Sequence, residues 1–327
     1  MDVTAPHHLQ ARVRALSYEA LGILGIELVA LPPATALPAF TAGSHVDLHL
    51  PTPQGELIRS YSLLNDPGET RHYRLGINRD AGSRGGSAYL HDSLRPGDVI
   101  TISAPRNHFP LDESAPHQVF IAGGIGITPM LSMIARSQAL GTPWTLYYAA
   151  RTRAHAGFLD WLESEAGSLG GRVVLNFDQE PGGRMLDLAA VVAALPAGAH
   201  VYCCGPIPML EAYEKATAGL PAERVHREYF AAKDAPATDG GFSVELARSH
   251  KTLQIPAGKT ILDCLIEISA EPPYSCREGV CGTCEVKVLE GQPDHRDLVL
   301  SDSERAGNDR MMVCCSGAKT AKLVLDL

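Results

Sequence analysis

Between about residues 10 and 110, short runs of alternating apolar and polar residues such as HVDLHL, YRLGIN and VITISAP are separated by Gly and Pro turns. This is the pattern of an antiparallel barrel. From about 117 to 230 the pattern changes: QVFIAGG, WTLYYAAR, RVVLNFD, HVYCCGP and RVHREYF are near-continuous apolar runs, with helical stretches such as MLSMIARSQAL and FLDWLESEA between them. That alternation predicts a parallel sheet with helices on both faces. KDAPATDGG, from Lys233 to Gly241, is polar, rich in Gly, Pro and Ala, and without periodicity, so it is the predicted linker. After it, FSVEL, one helical run TILDCLIEIS and the closing KLVLDL predict a small sheet packed on a helix. The expected division is 1–112, 113–232, a linker at 233–241, and 242–327. At 327 residues the chain exceeds one ordinary core, which agrees with two or three domains.

Charge narrows the partners. The formal net charge is -9, from 28 basic and 37 acidic residues, and no basic run offsets it. Nucleic acid and anionic membrane are therefore not expected as partners. MDVTAPHHLQARVRALSYEALGILG has no uninterrupted apolar run after its basic residues, so neither a signal peptide nor a membrane span is expected. The expected location is cytoplasmic, where eight cysteines are not a disulfide framework and clustered ones serve as metal ligands or redox groups.

The strongest chemical signal is YSCREGVCGTCEV followed by VCC. Cys276, Cys281 and Cys284 stand as C-x4-C-x2-C, and Cys314 follows after 29 intervening residues. This is plant-type [2Fe-2S] spacing, which implies a one-electron carrier at roughly -400 mV. A structural zinc site, or buried cysteines without a ligand role, would be the alternatives, but zinc sites show paired C-x2-C knuckles. No C-x-H pair is present, so a Rieske centre is excluded by ligand type. Cys264 lies in the helical run and is read as core. Adjacent side chains on an extended strand point to opposite faces, so only one of Cys314 and Cys315 meets a cluster. The plant-type interval selects Cys314 and leaves Cys315 as core.

Two further segments suggest nucleotide chemistry. In IRSYSLLNDP, strand alternation places Arg59 and Tyr61 on one side, where a cation clamps a phosphate and an aromatic packs on a ring system, and Ser62 can hydrogen-bond a reactive nitrogen edge. A surface strand would read similarly. GSRGGSAYL adds a glycine-rich turn whose amides around Gly85, Gly86 and Ser87 can hold a phosphate, unless it is an ordinary loop. AGGIGITPM places Gly123, Gly124 and Gly126 at a strand-to-helix turn, although Pro129 occupies the third position of G-x-G-x-x-G. CCGPIPM brings Cys204, Gly205 and Pro206 to the same carboxyl edge. Arg151 and Arg153 either reach the adenosine end of a dinucleotide or are solvated charges, and Asp178 has the same two readings.

Taken together, RSYS, GGS, GGIGITPM, CCGP and C-x4-C-x2-C with MVCCS resemble the phthalate dioxygenase reductase family of iron-sulfur flavoproteins, which includes the vanillate demethylase reductases. PRNHFPL, DHRDLVLSDSE and LVLDL share the likeness, which covers essentially the whole chain. The resemblance implies an antiparallel flavin-binding β-barrel, a ferredoxin-reductase-type α/β NAD domain and a C-terminal plant-type ferredoxin (β-grasp) domain. It also implies FMN, NADH and a [2Fe-2S] cluster as cofactors, with a Rieske-type terminal oxygenase as partner. By motif match, Arg59, Ser60, Tyr61, Ser62, Gly85, Gly86 and Ser87 are flavin contacts, and Thr128 lies where flavin and nicotinamide meet. Phe230 matches an aromatic that packs on the flavin ring, its alternative being a core aromatic. FAD-binding relatives share RSYS, and Arg153 could recruit a 2'-phosphate, so FMN against FAD and NADH against NADPH stay open at this point. The family usually has one cysteine where this chain has Cys314 and Cys315.

The expected function is an NADH-dependent reductase, which needs no general acid or nucleophile because hydride passes between cofactors. None of the thirteen histidines is given a catalytic role, although His295 in DHRD is a candidate for a domain or partner contact. A monomer is expected. The competing readings are the same electron chain serving a cytochrome P450 or a soluble quinone, and a non-enzymatic redox-sensing module.

Overall fold

The computed structural model describes residues 8–52, 55–80, 82, 85–166 and 171–327, which divide into two compact units at Phe230 and Ala231. The first unit opens with β1 (Leu9–Ala20), β2 (Ile23–Ala30), β3 (His45–Thr52), β4 (Gly55–Ser62), β5 (His72–Asn78), the short helix α1 (Gly86–Asp92) and β6 (Val99–Ile102). The six strands run in the order β4-β3-β6-β1-β2-β5, every pair antiparallel. The outer strands β4 and β5 approach each other, which closes the sheet toward a barrel. Alternation selects the core: Val46, Leu48 and Leu50 of β3 meet Leu28, Leu75 and Ile102 inside. Each such side chain contributes about 1.5–3 kcal/mol on burial.

A parallel sheet follows, built from β7 (Gln118–Gly123), α2 (Ile127–Leu140), β8 (Trp144–Ala150), α3 (Leu159–Ala166), β9 (Arg172–Phe177), α4 (Leu188–Ala193), β10 (His200–Cys204), α5 (Ile207–Thr217) and β11 (Val225–Glu228). Its order is β11-β10-β7-β8-β9. The chain leaves β7 in one direction and returns on its other side at β10, so the strand order reverses between these two, where open α/β sheets bind ligands. All six residues of β7 are buried, as a central strand covered on both faces requires.

Barrel and parallel sheet share one core. Ala20, Ile23, Ala42, Leu64 and Phe109 pack with Ile127, Met130, Met133 and Tyr202, and the Phe109 and Tyr202 rings meet edge-on at 5.7 Å. The Gly43 amide donates to Ser132 Oγ at 3.2 Å.

The second unit holds β12 (Phe242–Leu246), β13 (Lys251–Ile255), α6 (Ile261–Glu267), β14 (Glu285–Glu290), β15 (Pro293–Asp294), α7 (Asp302–Gly307), β16 (Arg310–Met312), β17 (Gly317–Ala318) and β18 (Lys322–Leu325). Five strands form the order β13-β12-β18-β14-β16. Thr260 starts α6 through a capping box with Asp263, and Ile261, Leu262, Cys264 and Leu265 face the core. The segment 233–241 is hydrogen-bonded within this unit: Ala237 donates to the Cys315 carbonyl at 2.7 Å, and Gly241 to that of Ile255 at 2.9 Å. Among the described residues no helix is long and apolar enough to cross a membrane.

Candidate functional site

β4 carries the RSYS stretch, and its pairing with β3 fixes where each side chain goes. Arg59 lies opposite Leu48 and Tyr61 opposite Val46, while Ser60 and Ser62 share the other face with Asp47 and His45. The Ser60 hydroxyl is engaged, donating to Asp47 Oδ1 at 2.7 Å, and Asp47 also pairs with Arg106. Ser62 is buried, opposite His45, whose ring nitrogens are buried without hydrogen-bond partners. Burial, followed by the Arg106 charge, lowers the His45 pKa to about 4. Tyr61 is half-buried, and burial pushes its hydroxyl up to about 12.

Arg59 reaches α1. A Cβ on Gly86 would stand 2.8 Å from Arg59 Cγ and 3.0 Å from its Nε, so only glycine lets the arginine lie across the start of that helix. Gly85 precedes it with φ of 97°. Ser87 Oγ accepts from the Asp80 amide at 3.3 Å. The RSYS and GGS motifs, which begin at Arg59 and Gly85, are thus brought side by side; Ser83 and Arg84 of the quoted turn lie outside the described residues. A cation beside backbone amides in a cradle that a Cβ would fill fits a phosphate-bearing flavin.

The second group lies at the carboxyl edge of the parallel sheet. A Cβ on Gly126 would fall 2.1 Å from the Cys204 carbonyl oxygen, and one on Gly205 would fall 3.1 Å from Gly123 Cα. The two loops interlock through backbone. Pro206 precedes α5, and Pro129 sits in the first turns of α2. Thr128 is buried, its hydroxyl donating to the Ile125 carbonyl at 3.0 Å and its methyl facing Gly76 of β5, so it stands where barrel and parallel sheet meet. Arg151 is exposed. Arg153 pairs with Glu163, and its amide donates to Glu180 at 2.6 Å. Asp178 Oδ1 is buried without a hydrogen-bond partner. Phe230 is 40% exposed, whereas its neighbour Tyr229 is buried and donates to Glu214 at 2.7 Å.

Sequence reasoning missed Glu228. Register sets it beside Cys204, its Oε2 is buried without a partner, and burial raises its pKa to about 8. The available signal was an acidic residue ending the apolar run RVHREYF at the edge already marked by CCGP.

In the second unit Cys276, Cys281, Cys284, Cys314 and Cys315 are all buried. Arg277, Gly279 and Gly282 adopt positive φ, which folds the loop tightly. The Cys276 thiol lies within hydrogen-bonding reach of Cys281 and Cys314, and the Glu278 amide donates to its sulfur at 3.3 Å. Cys281 Sγ lies 3.2 Å from Thr283 Oγ1. The Cys284 carbonyl accepts from Val313, the residue before Cys314. Cys315 turns toward Gly279, where a Cβ would stand 2.5 Å from its sulfur. Converging thiols with amides aimed at sulfur fit an anionic thiolate-bound cluster.

Comparison with known proteins agrees with these three groupings. Residues 26–110 match the oxidoreductase FAD-binding domain, 120–215 the oxidoreductase NAD-binding domain, and 244–319 the 2Fe-2S iron-sulfur cluster binding domain. Phenoxybenzoate dioxygenase subunit beta of Ectopseudomonas oleovorans is 58% identical over 316 residues, 97% of this chain and 96% of that one. The solved structure of phthalate dioxygenase reductase, a modular structure for electron transfer from pyridine nucleotides to [2Fe-2S], covers 98% of both chains at 37% identity and a TM-score of 0.74. The chain belongs to the phthalate dioxygenase reductase family. As a member it is an oxidoreductase with an antiparallel flavin-binding barrel, an α/β NAD-binding domain and a C-terminal [2Fe-2S] ferredoxin domain, and it moves electrons from NAD(P)H through flavin to the cluster. The reductase also matches an intact type IV self-sufficient cytochrome P450 monooxygenase, with a TM-score of 0.85 and 38% identity over its full length. It spans 43% of that longer chain.

Proposed function

We propose that the reductase delivers electrons from NADH to a Rieske-type oxygenase, with FMN as its flavin. The observation that carries this reading is the meeting of Arg59 with Gly85, Gly86 and Ser87 in the same chain as a converging set of buried thiols. A bound flavin takes two electrons as hydride from a nicotinamide and releases them singly to a [2Fe-2S] cluster. Arg59 and the amides of Gly85–Ser87 hold the flavin phosphate, Tyr61 flanks its ring, and Ser60 and Ser62 supply the polar edge of that strand. Gly123, Gly124, Gly126, Pro129, Cys204, Gly205 and Pro206 line the nicotinamide crevice, Thr128 stands at its junction with the barrel, and Phe230 covers the flavin face. Arg151 reaches the adenosine end. The cluster ligands are Cys276, Cys281, Cys284 and Cys314.

NADH is preferred to NADPH because the charge of Arg153 is met by Glu163, and Asp178 adds a carboxylate that repels a 2'-phosphate. The reductase acts in the cytoplasm as a monomer, which size-exclusion chromatography with light scattering checks. The likeness to the self-sufficient P450 favours a second acceptor, a P450 haem.

Anaerobic titration with NADH, followed optically, tests the reading. NADH bleaches the flavin and cluster bands of the holoenzyme, NADPH does so far less efficiently, and a Rieske oxygenase restores them faster than a P450. The flavin released on denaturation has the mass of FMN. Visible bands that do not respond to NADH would leave a redox-sensing module in place of an enzyme.

A further inference from the structure

A cleft of about 460 Å³ in the second unit is lined by Gln292, His295, Arg305, Asn308 and Lys319. Three of these are basic, on a chain whose net charge is -9. Neighbouring cations are compensated: Arg296 pairs with Asp294 at 2.8 Å, and Arg310 with Asp309 at 3.1 Å. Arg305 and Lys319, which line the cleft, meet no carboxylate at ion-pair distance among the described residues. The His295 side chain is only 7% exposed, burial lowers its pKa, and Asp297 stands 3.7 Å from its Nδ1. Arg305 donates one guanidinium nitrogen to the Asp297 carbonyl and leaves its Nε buried without a partner. Lys319 is exposed and makes no ion pair among the described residues.

A guanidinium donor such as Arg305 Nε left buried and unmet is unfavourable. A carboxylate entering the cleft would accept from Arg305 Nε, with Lys319 adding charge and Gln292 and Asn308 among the lining residues. The position adds a second reason. The Arg296 amide donates to Ser316 Oγ at 3.2 Å, and the Leu298 amide to the Gly279 carbonyl at 2.8 Å. The DHRD loop is therefore tied to both cysteine segments.

We infer that this cleft docks an acidic side chain of the protein that takes electrons from the cluster. The inference rests on the reductase reading in that the acceptor is a protein.

The test uses the full-length holoenzyme and a fluorescently labelled hexaglutamate peptide, with binding read by anisotropy at low ionic strength. Hexaglutamate binds and hexalysine does not, and Lys319→Glu weakens binding about tenfold. Lys319→Gln, which keeps the length and removes the charge, weakens it about threefold and serves if the reversal disturbs folding. Lys287→Glu, elsewhere in the unit, leaves binding as it was. Equal binding by wild type and both Lys319 variants overturns the inference. So does displacement of the peptide by inorganic phosphate at constant ionic strength, which would mark a small-oxyanion site. NADH bleaching of the same sample reports separately on the reductase reading, so the two failures are distinguishable.

Discussion

Two pairs of adjacent cysteines occur in this chain, Cys203–Cys204 at the end of β10 and Cys314–Cys315 after β16, and all four side chains are buried. Burial alone therefore does not separate them. The first pair lies within a parallel sheet, and burial pushes both thiols well above their usual range. A thiol held neutral in apolar surroundings is a small core side chain, neither nucleophile nor ligand. The second pair lies in a turn rather than on the extended strand expected from the sequence; Cys314 lies within reach of Cys276, and Cys315 lies within reach of Cys314 and faces Gly279. The lesson is that a cysteine takes its role from what its sulfur meets: a packed core in one case, other sulfurs and backbone amides in the other.

The sharpest way to break this comparison is to remove one sulfur at a time. Cys314→Ser loses the cluster, seen as absence of its visible absorption and of the electron paramagnetic resonance signal after reduction. Cys315→Ser keeps both. A cluster that survives Cys314→Ser and is lost in Cys315→Ser would reverse the assignment and leave the two pairs differing in another way.

The next largest effect probes the core side of the comparison. Gly126→Ala places a methyl 2.1 Å from the Cys204 carbonyl oxygen, and backbone on both sides must move. The expected loss is about 3 kcal/mol, at the upper end for overpacking. Thermal unfolding followed by flavin fluorescence measures it. Gly219→Ala, with nothing within 4 Å of the added carbon, is the control and changes stability little. An unchanged melting temperature for Gly126→Ala would mean that the glycine serves a ligand rather than the interlocking of two loops.

Much of this was legible in the sequence because it is local. Strand alternation, the switch to buried parallel strands and the C-x4-C-x2-C spacing are short-range patterns, and they led to the fold class and to the cysteine loop. What was not legible depends on contacts between distant segments. No periodicity places Ala20, Ile23 and Phe109 in the same core as Ile127 and Met130, because each is one apolar residue in its own element. The hydrogen bond of the Ser60 hydroxyl to Asp47 depends on the β3 register. The close approach of Gly126 to the Cys204 carbonyl likewise depends on where the β10 loop arrives.

Glu228 belongs to the same class, and it supplies the finest test of the contrast. It lies beside Cys204 in the register, half-buried with its Oε2 enclosed, so the environment that keeps that thiol neutral also disfavours a carboxylate. Its folded pKa, raised to about 8, exceeds the unfolded value near 4.3. The folded state then holds a proton that the unfolded state releases, so stability is fully present below about pH 4 and falls as pH rises toward 8. Across pH 6 to 9 the loss amounts to about 3 kcal/mol at 1.36 kcal/mol per unit. Glu228→Gln, which keeps the shape and cannot ionise, removes that slope, so the melting temperature of the first unit changes less between pH 6 and pH 9 than in the wild type. Equal slopes would show that the carboxylate finds compensation when ionised, and the surroundings of Cys204 would then be more polar than its burial suggests.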